Sequence, residues 1–251
     1  MKNKTTKAII LFAIIAFTIA KAAYTVYSRK TPIKEDPKEL AATAVILTQV
    51  YATNPDSLAL GIKLLDRAIE LAPDSLYLYE GKAQILCLQK KYKEALALLN
   101  DTERKYKTTW SIQFHQATIL DYIGDSISAK LSYERGIDYC DYQLEKVDPN
   151  SVEYENLFIA RLTAKLLRYG KSENTKNDIE ALKTWKSYYE ESYIYYTVIG
   201  FENFDKKKYI KSIMAPDEEN IKGTKASIEH LFELELESSA TGSRKKVKLN
   251  P

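Results

Sequence analysis

Side chains suited to soft-ligand or nucleophilic chemistry are few here: two histidines, His115 and His230, and two cysteines, Cys87 and Cys140. A metal site needs three or four converging ligands and usually shows donor pairs at short spacing. Neither histidine has a second histidine or a cysteine at such a separation. The chain also lacks a Gly-x-Ser-x-Gly elbow, a glycine-rich phosphate loop and a His-Glu-x-x-His helix. The expectation is a protein without catalytic residues, cofactor or metal. One other pattern carries chemistry: Trp185, Tyr189, Tyr193 and Tyr196 recur at intervals of 4, 4 and 3, with Tyr188 and Tyr195 beside them. On one helix these side chains share a face. Such a face is either core or a secondary binding surface, because tyrosine and tryptophan dominate interface anchors and stack on sugars.

The elements that must position these groups are helical. Of 251 residues 45% are hydrophobic and 28% charged, while Gly 8 and Pro 7 are too few for a turn-rich β protein. The net charge of +3 conceals a division. Residues 1–30 hold Lys2, Lys4, Lys7, Lys21, Arg29 and Lys30 and no acid. Without them and the basic tail Arg244, Lys245, Lys246 and Lys248, 27 basic residues face 34 acidic ones. An acidic body repels a phosphate backbone, so no nucleic-acid partner is expected.

Residues 1–7 are basic, and an uninterrupted apolar run, Ala8–Ala20, follows. That order is the one export machinery reads. If Ala20-Lys21-Ala22 is a cleavage site, the mature protein is periplasmic or secreted. If the span continues over residues 8–27, it reaches about 20 residues, enough to cross a bilayer as an N-terminal hydrophobic helix. Lys21 then snorkels, and Tyr24 and Tyr27 sit at interface depth. The anchor reading gives a single-pass membrane protein with an extracytoplasmic C-terminal domain. Residues 28–36 are a polar linker, after which Asp36, Pro37 and Glu39 form a helix-start signal.

Beyond it small residues recur at a stride of 34, at Gly61, Ala95 and Ala129. Four residues later come Leu65, Leu99 and Tyr133, and three further on Ala68, Thr102 and Gly136. Each set puts a notch beside a knob on one helix face. Asn54-Pro55-Asp56-Ser57, Pro73-Asp74-Ser75 and Gly124-Asp125-Ser126 mark turns between helices. Each unit is a helical hairpin that depends on its neighbours to bury its apolar face.

Units 42–75, 76–109 and 110–143 resemble tetratricopeptide repeats. Tyr79, Ala83, Leu86, Tyr92, Ala95 and Leu99 carry the likeness in the second unit, and Ala117, Leu120, Gly124, Ala129, Tyr133 and Gly136 in the third. The first keeps Gly61, Leu65, Ala68 and Pro73 but has Gln49 where a small residue is usual. Lys90 stands in place of a turn glycine, Thr102 in place of alanine, and Lys107 and Asp141 in place of proline. The resemblance implies an all-α, right-handed α-solenoid of hairpins over 37–143. A divergent hairpin over 144–199 is expected to cap the stack, a helical extension to span 200–237, and a disordered basic tail to close the chain over 238–251. Within the former, Val152–Tyr169 predicts a helix closed by Gly170, and Asp178 the cap of a second helix that runs past Trp185 and Tyr196.

The resemblance further implies a concave face lined by first helices. Carried over, its lining is Thr43, Ile46, Val50, Thr53 and Asn54, then Tyr77, Glu80, Gln84, Cys87 and Leu88, then Ser111, Phe114, Thr118, Asp121 and Tyr122. The Lys/Asn/Arg clamp that some relatives use for a peptide C-terminus is missing, since Ile46, Val50, Glu80, Gln84, Phe114 and Thr118 occupy its positions. In that frame Cys87 and Cys140 lie at opposite edges of the layer, too far apart to bridge. The expected activity is a non-enzymatic scaffold for a protein or peptide partner, tethered by the N-terminal helix. The alternative is a cleaved module for a soluble peptide or glycan. The chain itself is a further candidate occupant of the groove, through the N-terminal linker or the 201–236 segment.

Overall fold

Polar caps set most helix starts in the computed structural model, which describes residues 35–185 and 192–216. Asn54, Thr109, Asp125, Ser151, Ser172 and Asp205 each accept a backbone amide of the first helical turn, satisfying donors that have no partner inside the helix. Among the described residues the regular structure is entirely helical. The helices are α1 (Pro37–Val50), α2 (Pro55–Leu71), α3 (Leu76–Leu88), α4 (Tyr92–Tyr106), α5 (Trp110–Tyr122), α6 (Ser126–Leu144), α7 (Val152–Tyr169), α8 (Glu173–Lys183), α9 (Ser192–Glu202) and α10 (Lys206–Met214). The chain divides before Pro37, and the unit that begins there is the one described. The anchor or signal segment, Tyr189, His230, the Ile228–Leu236 helix and the basic tail lie outside the described residues. No helix among the described residues is long and apolar enough to cross a membrane.

Helices pack in consecutive pairs, α1 on α2, α3 on α4, α5 on α6 and α7 on α8. Neighbouring pairs meet through α2 on α3, α4 on α5 and α6 on α7, and first helices also touch, α1 on α3 and α3 on α5. All nine periodic residues, from Gly61 to Gly136, are buried. A Cβ on Gly61 would lie 3.0 Å from both Ile85 Cδ1 and Thr48 Cγ2, so this glycine is where α1, α2 and α3 approach most closely. The hairpin turns repeat too. Lys90 (φ 62°) and Gly124 (φ 92°) both take the left-handed backbone, 34 residues apart, although only one is the residue that conformation favours.

Three expectations are corrected. In α1 the buried edge is Ala41, Ala44 and Thr48, and Gln49, level with Ala83 and Ala117, is exposed. The α1–α2 turn spans four residues against three for α3–α4 and α5–α6, and α1 meets α2 by its Ala44–Thr48 edge. Thr43 and Ile46 face solvent, and Asn54 is spent capping α2. Second, Ser172 rather than Asp178 caps α8, so residues 173–177 belong to the helix instead of preceding it. Asp178 instead binds Arg161 at 3.4 Å and Lys165 at 3.0 Å, tying α8 to α7.

The third correction concerns the aromatic stripe, which is not one helix face. The helix α8 ends at Lys183, Trp185 lies beyond it, and Tyr193 and Tyr196 belong to α9. The Trp185 ring packs 4.9 Å from Phe158 and 6.2 Å from Tyr154, in the core shared by α7, α8 and α9. The side chains of Tyr193 and Tyr196 lie outside the described residues. The helix Val152–Tyr169 has the expected bounds, and its following residue, Gly170, has φ 68°.

Candidate functional site

The residues of α3 and α5 expected to line a face of the first helices play unequal parts. Tyr77 is 47% exposed, and Glu80 and Gln84 are half-buried. Cys87 and Thr118 are not surface groups. Both are 1% exposed, and the Thr118 hydroxyl turns back onto the carbonyls of Phe114 and His115 in its own helix. Their positions point into the layer because the helix rotation that buries Ala83 and Ala117 carries them inward as well. Leu88 packs half-buried against the α1–α3 core. Phe114 packs on the central core with its ring edge-on to His115. Tyr122 is exposed and tilts against Tyr92, their ring centres 5.3 Å apart.

The rest of that face is covered by the chain itself. The helix α10 lies against α5 and α3. Its Ile210 and Met214 are buried in the core formed by Ala83, Cys87, Ala117 and Leu167, with Tyr209 and Ile213 packed at the edge. At its C-terminal end the Gln84 amide donates to the Ile213 carbonyl at 2.7 Å, satisfying a carbonyl that no later helical turn can reach. At its N-terminal end Lys206 Nζ stands 2.5 Å from Asp121 Oδ2 and over the Tyr133 ring at 5.5 Å. Asp121 is 14% exposed, so this ion pair is shielded from solvent on the carboxylate side. Burial, and then the nearby Asp121 carboxylate, push the Tyr133 hydroxyl up from its ordinary range, and burial does the same to Tyr209. Both phenols are neutral at physiological pH. The occupant is thus gripped at both ends by polar groups and along its length by apolar ones.

The other groups with chemistry are held inside the helical layers. Cys87 and Cys140 are free and buried, and burial pushes both thiols up to about 12, so neither is a nucleophile in the folded state. His115 donates from Nδ1 to the Ser111 carbonyl at 2.9 Å. Among the described residues no three His, Cys, Asp or Glu side chains converge as a metal site would require. A cleft of about 450 Å³ opens between α2, α3 and α4, lined by Ile62, Lys63, Lys82, Leu86, Lys91 and Glu94 among others. Lys82 is already paired there with Asp66 at 2.5 Å.

The sequence pointed to Gln84, Phe114 and Asp121 and to 201–236 as one candidate segment over them, but not to the residues of that segment that make the contacts. Lys206, Tyr209, Ile210, Ile213 and Met214 fall at i, i+3, i+4, i+7 and i+8, the spacing of a helix laid in a groove, and that signal was present in the sequence. No family model, curated protein or solved structure matches the chain.

Proposed function

We propose that this chain is a non-enzymatic interaction scaffold of the tetratricopeptide type, a right-handed α-solenoid that binds a protein segment on the face of its first helices. The observation that supports it is the seating of α10: the α3–α5 face holds an amphipathic helix with apolar anchors, one shielded ion pair and one amide contact. The basic and apolar order of residues 1–20 supports a tether that places this domain outside the cytoplasm. Cleavage after Ala22 would release the same module.

A photo-crosslinking residue placed at exposed Tyr77 or Tyr122, in the full chain and in its own membranes, tests the reading. Adducts with a protein from these two positions, and none from Tyr142 or Leu131 on the outer helix α6, are expected. Equal labelling from both helix layers, or no protein adduct from Tyr77 and Tyr122, overturns it. The intact mass of the membrane-fraction protein separates anchor from signal, because the cleaved form lacks the first 22 residues.

A further inference from the structure

The placement of α10 goes one step beyond the scaffold reading and rests on it. From the two polar grips and the five-residue stripe, we infer that α10 is an exchangeable internal ligand. It holds the α3–α5 face closed, and the partner that opens that face carries an amphipathic helix with α10's own pattern. That pattern is a cation, then apolar or aromatic side chains three, four, seven and eight residues on, as in Lys206, Tyr209, Ile210, Ile213 and Met214.

Four features make α10 a ligand rather than a permanent member of the stack. The hairpins it bridges are each closed without it, α3 by α4 and α5 by α6. It has nine residues, fewer than the roughly 12–15 at which a helix in water approaches stability by itself, so its helicity depends on the face it lies on. A three-residue connector, Asn203–Asp205, separates it from α9. Its other side, Lys207, Lys208, Lys211 and Ser212, is exposed.

The chemistry of the face selects the partner's chemistry. Asp121 is a shielded carboxylate beside the apolar part of this surface, and an incoming helix without a cation at that register would leave it buried and unpaired. Gln84 needs a carbonyl at the far end, and the free carbonyls of a helix C-terminus supply one. A helix-in-groove mode therefore fits this surface, with Ile210 and Met214 marking the two deepest apolar positions.

The test uses the full chain and a fluorescent peptide of residues 204–216 in trans. Unaltered protein is expected to bind the peptide weakly, because α10 competes at high effective concentration. A chain carrying Ile210→Asp and Met214→Asp is expected to bind it at least tenfold tighter. A peptide with Lys206→Glu should lose tenfold or more of that affinity. Equal binding by both chains, or indifference to Lys206→Glu, overturns the inference. Hydrogen exchange on the unaltered chain keeps the test independent of how the variant folds. Backbone amides of α10 exchanging at least tenfold faster than those of α5 support an opening of α10 alone, and exchange in step with α5 overturns it. Peptide binding without any protein adduct from Tyr77 or Tyr122 would sink the scaffold reading and leave the exchange intact. Adducts with α10 locked would do the reverse.

Discussion

Two seams in the stack do the same job with different chemistry. Where α2 meets α3 the interior is apolar, with Leu58, Leu65 and Ala68 against Leu78 and Ile85, and the Asp66–Lys82 pair only at the rim. Where α4 meets α5 the interior adds a buried polar network to the apolar contacts of Leu99, Ala117 and Ile119. Gln113 Nε2 donates to Glu103 at 2.7 Å and Thr108 at 2.8 Å, and Gln116 Nε2 donates to Asn100 at 2.9 Å and Glu103 at 3.0 Å, with both glutamines buried. The backbone spacing repeats across both seams, so a helical stack does not require one kind of glue. The two must fail differently. Apolar burial is non-directional and is lost in proportion to the area removed, whereas a buried polar network fails through the group left unpaired.

The largest expected effect is on the apolar seam. Leu78→Ala removes a fully buried side chain and should cost about 2–5 kcal/mol in urea denaturation, the range for a core leucine whose cavity does not collapse. A loss below about 1 kcal/mol would mean that α3 moves in to fill the space and that the seam is looser than its packing indicates.

On the polar seam Glu103→Ala should cost about 1–3 kcal/mol by taking one acceptor from each of two buried amides. The sharper measurement is the triple replacement of Glu103, Gln113 and Gln116 by leucine. Among the described residues no donor reaches the Oε1 of either glutamine, so the network already carries unpaired acceptors. The triple variant should recover most of the loss, and a triple variant as unstable as Glu103→Ala would show that the amides fix the geometry of the seam as well as filling it.

Two glycines give a smaller contrast, and one with a change of sign. A methyl on Gly61 meets Ile85 and Thr48 at 3.0 Å, so Gly61→Ala overpacks the junction, a class of change that costs about 1–3 kcal/mol. A methyl on Gly81, inside α3, finds Leu65 Cδ1 at 3.5 Å, an ordinary contact. Gly81→Ala should therefore stabilise by about 0.5–1 kcal/mol through helix propensity. Thermal melts of the two variants, moving in opposite directions, would separate the periodic glycine from an incidental one.

The stack was legible because its signal is local and repeated. Gly61, Ala95 and Ala129, with their partners four and seven residues on, mark second-helix packing positions that any helix of this spacing would bury. The errors arose where a tertiary partner decided. Gln49 could not reveal that the turn following it is one residue longer than its counterparts, and Asp178 has the chemistry of a cap but is taken by Arg161 and Lys165 on another helix. Trp185 kept its spacing to Tyr193 and Tyr196 in the sequence, while the helix that spacing presupposed stops at Lys183. The site was half legible. Its floor follows from the repeat frame, and 201–236 stood among the candidate occupants, but the occupant is brought back from more than eighty residues downstream of that floor, and no local pattern chooses it over the N-terminal linker or an outside partner.

The smallest expected effect bears on how far position overrides residue type. Lys90 and Gly124 hold equivalent turns with φ of 62° and 92°. An L-residue in the left-handed region pays roughly 1–2 kcal/mol, and a glycine gives back about 0.5–1 kcal/mol through the freedom it adds to the unfolded chain. Lys90→Gly should thus stabilise by about 0.5–1 kcal/mol and Gly124→Ala should destabilise by about 1 kcal/mol, shifts of roughly 1–4 °C in melting temperature for a domain of this size. The backbone around Lys90 already bonds like that around Gly124, with Lys91 donating to the Leu86 carbonyl at 2.8 Å and Asp125 to the Leu120 carbonyl at 2.9 Å. If Lys90→Gly instead lowers the melting temperature, the exposed lysine side chain is stabilising the turn by more than its backbone strain costs, and the two hairpins share a shape without sharing its cause.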